Sequence, residues 1–346
     1  MRKLILFIVL TPILVTAAVA GWWLLLDGRA AAVREDLVRM PAEFGPPPAG
    51  YPTENALMAS FALGRLQLLN LESPPPLPSS VIAEKDVEYG REGGVPLLLD
   101  LYRPKDATTP RPAIIFIHGG GWVKGSRTDY AIYAQQFAEW GYVAATISYR
   151  FIDVAKFPGC VSDSKCAVRW LRANAERLGI NPDQIAAAGG SGGAYLAMML
   201  GYSSDVATFE GSGGNPGTSS AVQAVIDLYG PTDLTAPVAQ THEGVVGLMG
   251  APYAEIPDRY RDASPLHHLD ASDPPTFIIQ GTLDSIVPSE QSDLLAEKLQ
   301  ALKKDYWYDC YPGWPHTMDV ALPVTARVQP TIRAFLEHVF GKPEGA

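Results

Sequence analysis

The strongest constraint on the fold is an alternation of short apolar strands with amphipathic helices that begins near residue 81. Runs such as "AIIFIHGGG", "YVAATISY" and "QIAAAGG" are short and apolar, which is typical of buried strands. Helical patterns lie between them, such as "SDSKCAVRWLRANAERLG", which starts at a serine or aspartate cap and ends at a glycine. The alternation predicts an α/β fold with a mostly parallel central sheet covered by helices on both faces.

The same patterns divide the chain into three parts. Residues 27–80 form a predicted connector, because two proline-rich stretches in it favour extended spacers. Between those stretches, "NALMASFALGRLQLLNL" has apolar residues at helical spacing and predicts one helix lying on the main domain. Residues 81–346 form the predicted main domain. It opens with a hairpin, "VEYGREGGVPLLLDLYRP", and closes with the helix "QPTIRAFLEHVF".

The first 26 residues predict export from the cytoplasm. Arg2 and Lys3 precede a run from residue 4 to residue 26 that carries no charge. The run is long enough for a signal anchor, a hydrophobic helix retained in the membrane. Small residues at Ala18 and Ala20 also fit a signal peptide that is cleaved, so both interpretations stay open. Either one places the rest of the chain outside the cytoplasm, membrane-anchored or secreted.

Composition excludes several classes of function. The 346-residue chain has a net charge of −10, which disfavours nucleic acid because nucleic-acid binding requires a basic face. No cysteine and histidine spacing suits zinc, so no metal site is predicted. Cys160 and Cys166 are close enough to pair after export, with Cys310 left over, and three buried free thiols are the alternative.

A serine in a glycine-rich turn is the predicted nucleophile. Ser191 is flanked by Gly189 and Gly193 in "IAAAGGSGGAYLA", between a predicted strand and a predicted helix. Small residues two positions before and two after a serine allow strand and helix to meet at a sharp turn that exposes the hydroxyl. A flexible linker would not be flanked so closely by apolar elements. No reason for Gly190 follows from the sequence.

A second glycine-rich motif, "HGGGW", follows an earlier strand. Its backbone N–H groups at Gly119 and Gly120, with that of Gly192, form a predicted oxyanion hole for a tetrahedral intermediate. Glycine is needed there because a Cβ would obstruct a carbonyl that approaches the backbone. His118 is expected to brace this loop rather than to transfer protons.

The serine needs a base and a carboxylate that orients it. His316 is predicted as the base because it follows a strand and precedes the last helix, where ligands bind in open sheets. Structural or surface roles are expected for the other candidate histidines, which are His242, His267, His268 and His338. Asp284 follows a buried strand and is the predicted carboxylate, with Asp233 as the rival. The order serine, aspartate, histidine is that of α/β-hydrolases.

Several of these segments, in this order, resemble the HGGG-type esterases. They include "HGGGW", "GGSGGAYLA", "VIDLYGPTDL", "IIQGTLDSIVP" and "YPGWPH". These enzymes are related to hormone-sensitive-lipase-like carboxylesterases and to the feruloyl and acetyl-xylan esterase group. The resemblance covers roughly residues 81–340. It implies an α/β-hydrolase fold and hydrolysis of a small or carbohydrate-linked ester without a cofactor. It also implies Ser191, Asp284 and His316 as the triad, with Gly119, Gly120 and Gly192 near the oxyanion.

Three departures from that resemblance bear on the site. The residue after the nucleophile is usually alanine and is Gly192 here, and the residue before it is often acidic or bulky and is Gly190 here. Trp314 and Pro315 precede His316, which suggests a different pocket shape. A serine peptidase and a catalytically silent, membrane-tethered binding domain remain alternatives on the same fold. The oligomeric state and the ester are not predicted.

Overall fold

A computed structural model describes residues 30–343, in which eight strands form one sheet. The strands, in chain order, are β1 (Val81–Glu92), β2 (Val95–Pro104), β3 (Arg111–Ile117), β4 (Val143–Ile147), β5 (Ile180–Gly190), β6 (Ala224–Leu228), β7 (Thr276–Gly281) and β8 (Tyr306–Tyr311). Their order across the sheet is β1-β2-β4-β3-β5-β6-β7-β8. β1 and β2 pair antiparallel, as do β2 and β4, and the remaining neighbours are parallel. The predicted mostly parallel sheet is confirmed.

Helices cover both faces of this sheet. They are α1 (Glu54–Ala62), α2 (Ala131–Glu139), α3 (Gly159–Ala173), α4 (Ala175–Leu178), α5 (Gly192–Tyr202), α6 (Pro237–Gln240), α7 (Glu243–Met249), α8 (Pro257–Asp262), α9 (Pro265–His268), α10 (Glu290–Ala301) and α11 (Leu322–Phe340). One buried cluster packs α3, α5 and α10 on the sheet, and the other packs α2 and α11. β3, β4, β6 and β7 are buried along their whole length, so they read as continuous apolar runs.

Three helix boundaries differ from the sequence prediction. The predicted cap residues of α3, Ser162 and Asp163, lie inside the helix, where Asp163 accepts hydrogen bonds from the backbone and side chain of Arg150. α1 ends at Ala62, far short of the predicted stretch to residue 71. α11 begins seven residues before the predicted start and keeps Pro330 in its interior. Its buried apolar face outweighs the hydrogen bond that this proline removes.

The connector runs along the main domain. Ala31 donates its N–H to the carbonyl of Thr282, and Arg39 pairs with Tyr308 on the outer edge of β8. Further along, Leu68 bridges to Ala321 just before α11. The predicted N-terminal hydrophobic helix lies outside the described residues. Within residues 30–343, none of the helices has both the length and the apolar character to cross a bilayer.

The three cysteines are free and buried, so Cys160 and Cys166 are not paired in the structure. Both lie on α3, whose interior holds them in apolar surroundings. Burial raises the pKa of both thiols, to about 12 for Cys160 and about 11 for Cys166. Of the two possibilities left open by the sequence, the structure has the buried free thiols.

Candidate active site

Ser191 lies at the sharp turn between β5 and α5. Its backbone has φ 56° and ψ −122°, outside the regions that residues with a side chain normally adopt. A Cβ on Gly193 would lie 2.0 Å from the carbonyl oxygen of Ile117, and one on Gly189 would lie 2.4 Å from the carbonyl carbon of Gly193. Strand and helix therefore cross so closely that only glycine fits on either side of the serine.

His316 lies between Ser191 and Asp284. Its Nε2 is 2.9 Å from Ser191 Oγ, and its Nδ1 is 2.6 Å from Asp284 Oδ2. These distances suit one tautomer, in which Nδ1–H donates to the carboxylate and Nε2 accepts from the serine hydroxyl. The structure thus brings together the three residues that the sequence nominated from separate segments. Their catalytic roles are taken up under the proposed function.

The carboxylate of Asp284 is fixed by the loop that follows β7. Its Oδ1 accepts the backbone N–H groups of Ile286 and Val287, both at 2.9 Å, which leaves Oδ2 for the imidazole. The side chain is fully shielded from solvent. The rival, Asp233, instead accepts from Thr235 in its own turn and lies 3.6 Å from His267. The structure therefore places Asp284, and not Asp233, at His316.

Three of the remaining histidines contact other parts of the molecule. His267 faces Asp233, the Nε2 of His268 is 2.7 Å from the carbonyl of Asp262, and His338 is 2.7 Å from Asp305. His242 differs, because it lines the same cavity as Ser191 while its Nδ1 accepts the N–H of Gly244 at the start of α7. No sequence pattern marks this position, since His242 lies in an irregular insertion.

The HGGG loop lies directly against the serine. Gly119, Gly120 and Gly192 all line the cavity that contains Ser191. A Cβ on Gly119 would come within 3.1 Å of the Ser191 Cβ, so the loop backbone and the elbow are in contact. His118 is buried, its Nδ1–H donates to the carbonyl of Gly119 at 2.8 Å, and its ring stacks on Tyr149. These contacts fit the bracing role expected for it.

A buried cluster of Tyr130, Tyr229 and Asp319, here called the tyrosine–aspartate cluster, lies behind the elbow. Tyr130 donates its hydroxyl to Asp319 Oδ2 at 3.0 Å, and Tyr229 donates its hydroxyl to Oδ1. The ring of Tyr229 contacts His316 edge to face at 4.8 Å between centroids. Burial raises the pKa of Asp319, and the two hydroxyl donors oppose that rise.

This cluster explains why residue 190, directly before the nucleophile, is a glycine. A Cβ on Gly190 would lie 2.4 Å from the Tyr130 hydroxyl and 2.6 Å from that of Tyr229. The two tyrosines therefore occupy the space that a side chain before the nucleophile would need. The acidic or bulky residue found there in the resembling esterases cannot fit beside this cluster.

Backbone strain also concentrates around the cavity. Trp122, Ser191, Tyr229 and Thr317 all have positive φ, between 48° and 61°, and all four line the cavity. Non-glycine residues with positive φ are uncommon and persist only where their surroundings hold them. The surrounding structure therefore holds the backbone around Ser191 in a conformation that it would not adopt alone.

The cavity has a volume of about 480 Å³ and is largely apolar. The insertion after β6 supplies one wall through Pro231, Val238 and Val245, and Trp122 supplies another. The glycine-rich loop at residues 210–220 does not line the cavity. It is held against β1 and α3, where Ser212 binds Glu92 and Glu210 pairs with the buried Lys165.

Trp314, by contrast, packs against the connector. Its indole N–H donates to the carbonyl of Pro48 at 2.9 Å, and its ring contacts Tyr51. Tyr51 also donates its backbone N–H to Gly313 at 2.8 Å. Trp314 thus connects the loop that carries His316 to the proline-rich segment of the connector, and it does not line the cavity.

A family comparison agrees with this architecture. The BD-FAE family model matches residues 99–299, which include Ser191 and Asp284, whereas His316 lies beyond the matched range. The esterase LipC of Mycobacterium tuberculosis is 32% identical over 254 residues. That match covers 70% of this chain and 62% of LipC, so the chain spans less than two thirds of that relative.

Solved esterase structures show the same fold. Esterase 2 of Thermogutta terrifontis is 28% identical, with a TM-score of 0.66, and covers 78% of this chain and 97% of its own. It has also been solved phosphorylated by paraoxon. A carbohydrate esterase from gut microbiota is 26% identical, with a TM-score of 0.66, and covers 76% of this chain and 98% of its own.

Proposed function

The chain belongs to the BD-FAE family of α/β-hydrolases, and on that premise we propose that it hydrolyses carboxylic esters through an acyl-enzyme on Ser191. One observation carries the proposal. The His316 ring lies within hydrogen-bond distance of both Ser191 Oγ, at 2.9 Å, and Asp284 Oδ2, at 2.6 Å. In this arrangement the imidazole can act as the base that activates the serine hydroxyl, and the buried carboxylate can stabilise the imidazolium that results.

In the proposed mechanism, His316 Nε2 takes the proton of Ser191 as Oγ attacks the ester carbonyl. Asp284, fixed by two backbone N–H groups, holds the imidazole in the required tautomer and stabilises the imidazolium that forms. The imidazolium then gives its proton to the departing alcohol. A water molecule enters, loses a proton to His316 and attacks the acyl carbon. His316 then returns that proton to Ser191 Oγ as the bond to the acyl group breaks and the acid leaves.

The tetrahedral intermediates place a negative charge on the former carbonyl oxygen. We assign its stabilisation to the backbone N–H groups of Gly119, Gly120 and Gly192, which line the cavity beside Ser191. Loss of one such donor typically lowers kcat by about 10²–10³-fold. The contact between Gly119 and the elbow supports the assignment, because it keeps both sets of donors in one rigid unit.

The substrate is proposed to be a small ester or one linked to a carbohydrate. A cavity of about 480 Å³ with mostly apolar walls suits an uncharged acyl group of modest size. The similarity to a carbohydrate esterase supports a sugar as the alcohol. The proposed location is outside the cytoplasm, through residues 1–26, either anchored or released by cleavage after Ala20. The mass of the mature chain distinguishes these two forms.

The test is fluorophosphonate labelling of the wild type, Ser191→Ala and Ser285→Ala, together with turnover of nitrophenyl esters of increasing acyl length. Ser285 is an exposed serine on the Asp284 loop and serves as the matched control. We expect labelling and turnover in the wild type and in Ser285→Ala, and neither in Ser191→Ala. Labelling that survives Ser191→Ala would overturn the site. A folded wild type with no turnover of any ester would favour a silent binding domain.

A further inference from the structure

Exposed apolar side chains border the mouth of the cavity. Ile286 lines the cavity and is 50% exposed. Its neighbour Ser285 donates its hydroxyl to Glu54 at 2.6 Å, so the start of α1 is tied to this rim. Met58 and Phe61 follow Glu54 at i+4 and i+7, on the same helix face, and are 57% and 47% exposed. The apolar surface therefore continues from the cavity onto α1.

Leu68 extends this surface along the next segment. It bridges to Ala321, and the following residue donates its N–H to Val320, which lines the cavity. Met58, Phe61, Leu68 and Ile286 are here called the mouth band. The adjoining face of α1 is attached to the protein, since Leu57 packs against the core and Ser60 bonds the Tyr51 hydroxyl at 3.1 Å. The helix is thus held with its apolar outer face toward solvent, which is costly in water without a partner.

The chain enters the described structure close to this rim. Ala31 donates its N–H to the carbonyl of Thr282 at 2.7 Å, and Thr282 lies two residues before Asp284. The uncharged run at residues 4–26 ends five residues before Ala31. Because a residue spans at most about 3.6 Å, the five residues from the end of that run to Ala31 can reach no further than about 18 Å. Any bilayer that receives the run is therefore next to the carboxyl edge of the sheet, where Ser191 lies.

We propose that the mouth band rests on a lipid surface and that ester substrates enter the cavity from the lipid phase. The proposal commits to uncharged or zwitterionic lipid, because a net charge of −10 disfavours an anionic surface. Contact with lipid would cover the apolar face of α1 and continue it into the apolar cavity. Entry of ester substrates from the lipid rests on the proposed ester hydrolysis, whereas contact of the mouth band with lipid does not.

The first experiment measures lipid contact without any catalysis. Phe61→Cys and Leu77→Cys, each in the full chain, are labelled with the fluorophore NBD and reconstituted into phosphatidylcholine vesicles with and without doxyl-labelled phosphatidylcholine. Leu77 is the matched control, since it is 41% exposed and precedes β1 at the opposite, amino edge of the sheet. The native cysteines are buried and should not react.

We expect the doxyl lipid to quench the fluorophore at position 61 and not at position 77. Equal quenching at both positions, or none at position 61, overturns the proposal. A fluorophore at position 61 that is shielded from aqueous iodide but not quenched by doxyl lipid would show that a second copy of the chain covers α1. That result also overturns contact with lipid.

The second experiment tests the route of the substrate. Met58→Asp combined with Phe61→Asp places two charges on the mouth band outside the cavity, and Leu77→Asp is its control. Turnover of a water-soluble short ester should stay unchanged, whereas turnover of an ester embedded in the vesicles should fall roughly tenfold in the double variant alone. Equal vesicle turnover in all three proteins overturns the proposed route. If the wild type hydrolyses neither ester, the proposed function fails while the quenching result stands.

Discussion

Two buried carboxylates near His316, Asp284 and Asp319, are held in different ways. Asp284 contacts the imidazole directly, with its second oxygen fixed by the N–H groups of Ile286 and Val287. Asp319 is 3% exposed and accepts the hydroxyl of Tyr229, whose ring lies against the imidazole. We therefore expect Asp284 to fix the proton on His316 Nδ1, and Asp319 to hold the Tyr229 ring against the imidazole.

The largest expected effect comes from Asp284→Asn. The amide cannot hold the imidazole in the tautomer that accepts the serine proton, so kcat/KM for a short ester should fall about 10⁴-fold. The decrease in kcat/KM should be far smaller for Asp319→Asn, because the Asp319 carboxylate is not hydrogen-bonded to the imidazole. Steady-state kinetics on both folded variants check the contrast. A greater loss in Asp319→Asn would reverse the two roles.

The glycines flanking Ser191 give the second contrast. Gly190→Ala places a Cβ 2.4 Å from the Tyr130 hydroxyl and 2.6 Å from that of Tyr229, so the tyrosine–aspartate cluster or the elbow must move. Displacement of about 1 Å at a reacting group commonly costs about 10²-fold, and we expect kcat to fall by that order.

Gly192→Ala is the matched control. Its Cβ meets the Trp122 ring at 3.1 Å, a contact that a shift of a few tenths of an ångström would relieve, and alanine is usual at this position in the resembling esterases. Its loss in kcat should therefore remain well below that of Gly190→Ala. Equal losses in the two variants would show that the tyrosine–aspartate cluster does not set the requirement for glycine.

The smallest effect is expected from Tyr229→Phe, and it should depend on pH. Burial raises the pKa of Asp319 in the folded state, so the folded protein binds this proton more tightly and stability falls as pH rises through the window above the unfolded value. Loss of the Tyr229 hydroxyl raises that folded pKa further. The destabilisation, about 1–3 kcal/mol, should therefore be larger at pH 8 than at pH 4.

Tyr133→Phe controls for loss of a buried hydroxyl. Tyr133 donates to the backbone carbonyl of Asp319 at 3.0 Å and not to its carboxylate. Its destabilisation, measured by urea unfolding at the same two pH values, should not depend on pH. The same behaviour in Tyr229→Phe would mean that its hydroxyl does not stabilise a charged carboxylate.

The parts of the site that depend on local pattern can be predicted from the sequence. Ser191 was found because the elbow motif lies between a strand and a helix, and Asp284 and His316 because each follows a strand. The sequence places Asp319 beside a helix start and predicts no role for it. Its significance arises from Tyr130 and Tyr229, which come from distant segments and meet it only in the folded protein.

The same limit applies to the elements that the sequence misplaced. Pro330 suggested that the last helix begins near it, but packing of Val324, Val328 and Ile332 in the core extends the helix toward its N-terminus. Tertiary packing of this kind overrides local preference, and no local pattern encodes it. The fastening of Trp314 to Pro48 is equally invisible without the fold, because the two residues are separated by most of the chain.

The backbone of Ser191, at φ 56° and ψ −122°, has a consequence for how this protein could evolve. A residue held in so sparsely populated a region costs on the order of 1–3 kcal/mol, a sizeable share of the 5–15 kcal/mol that stabilises a typical domain. Glycine would adopt the same angles without that cost. Selection for hydrolysis must continuously oppose a substitution that favours stability, so a lineage released from that selection would be expected to lose this serine early.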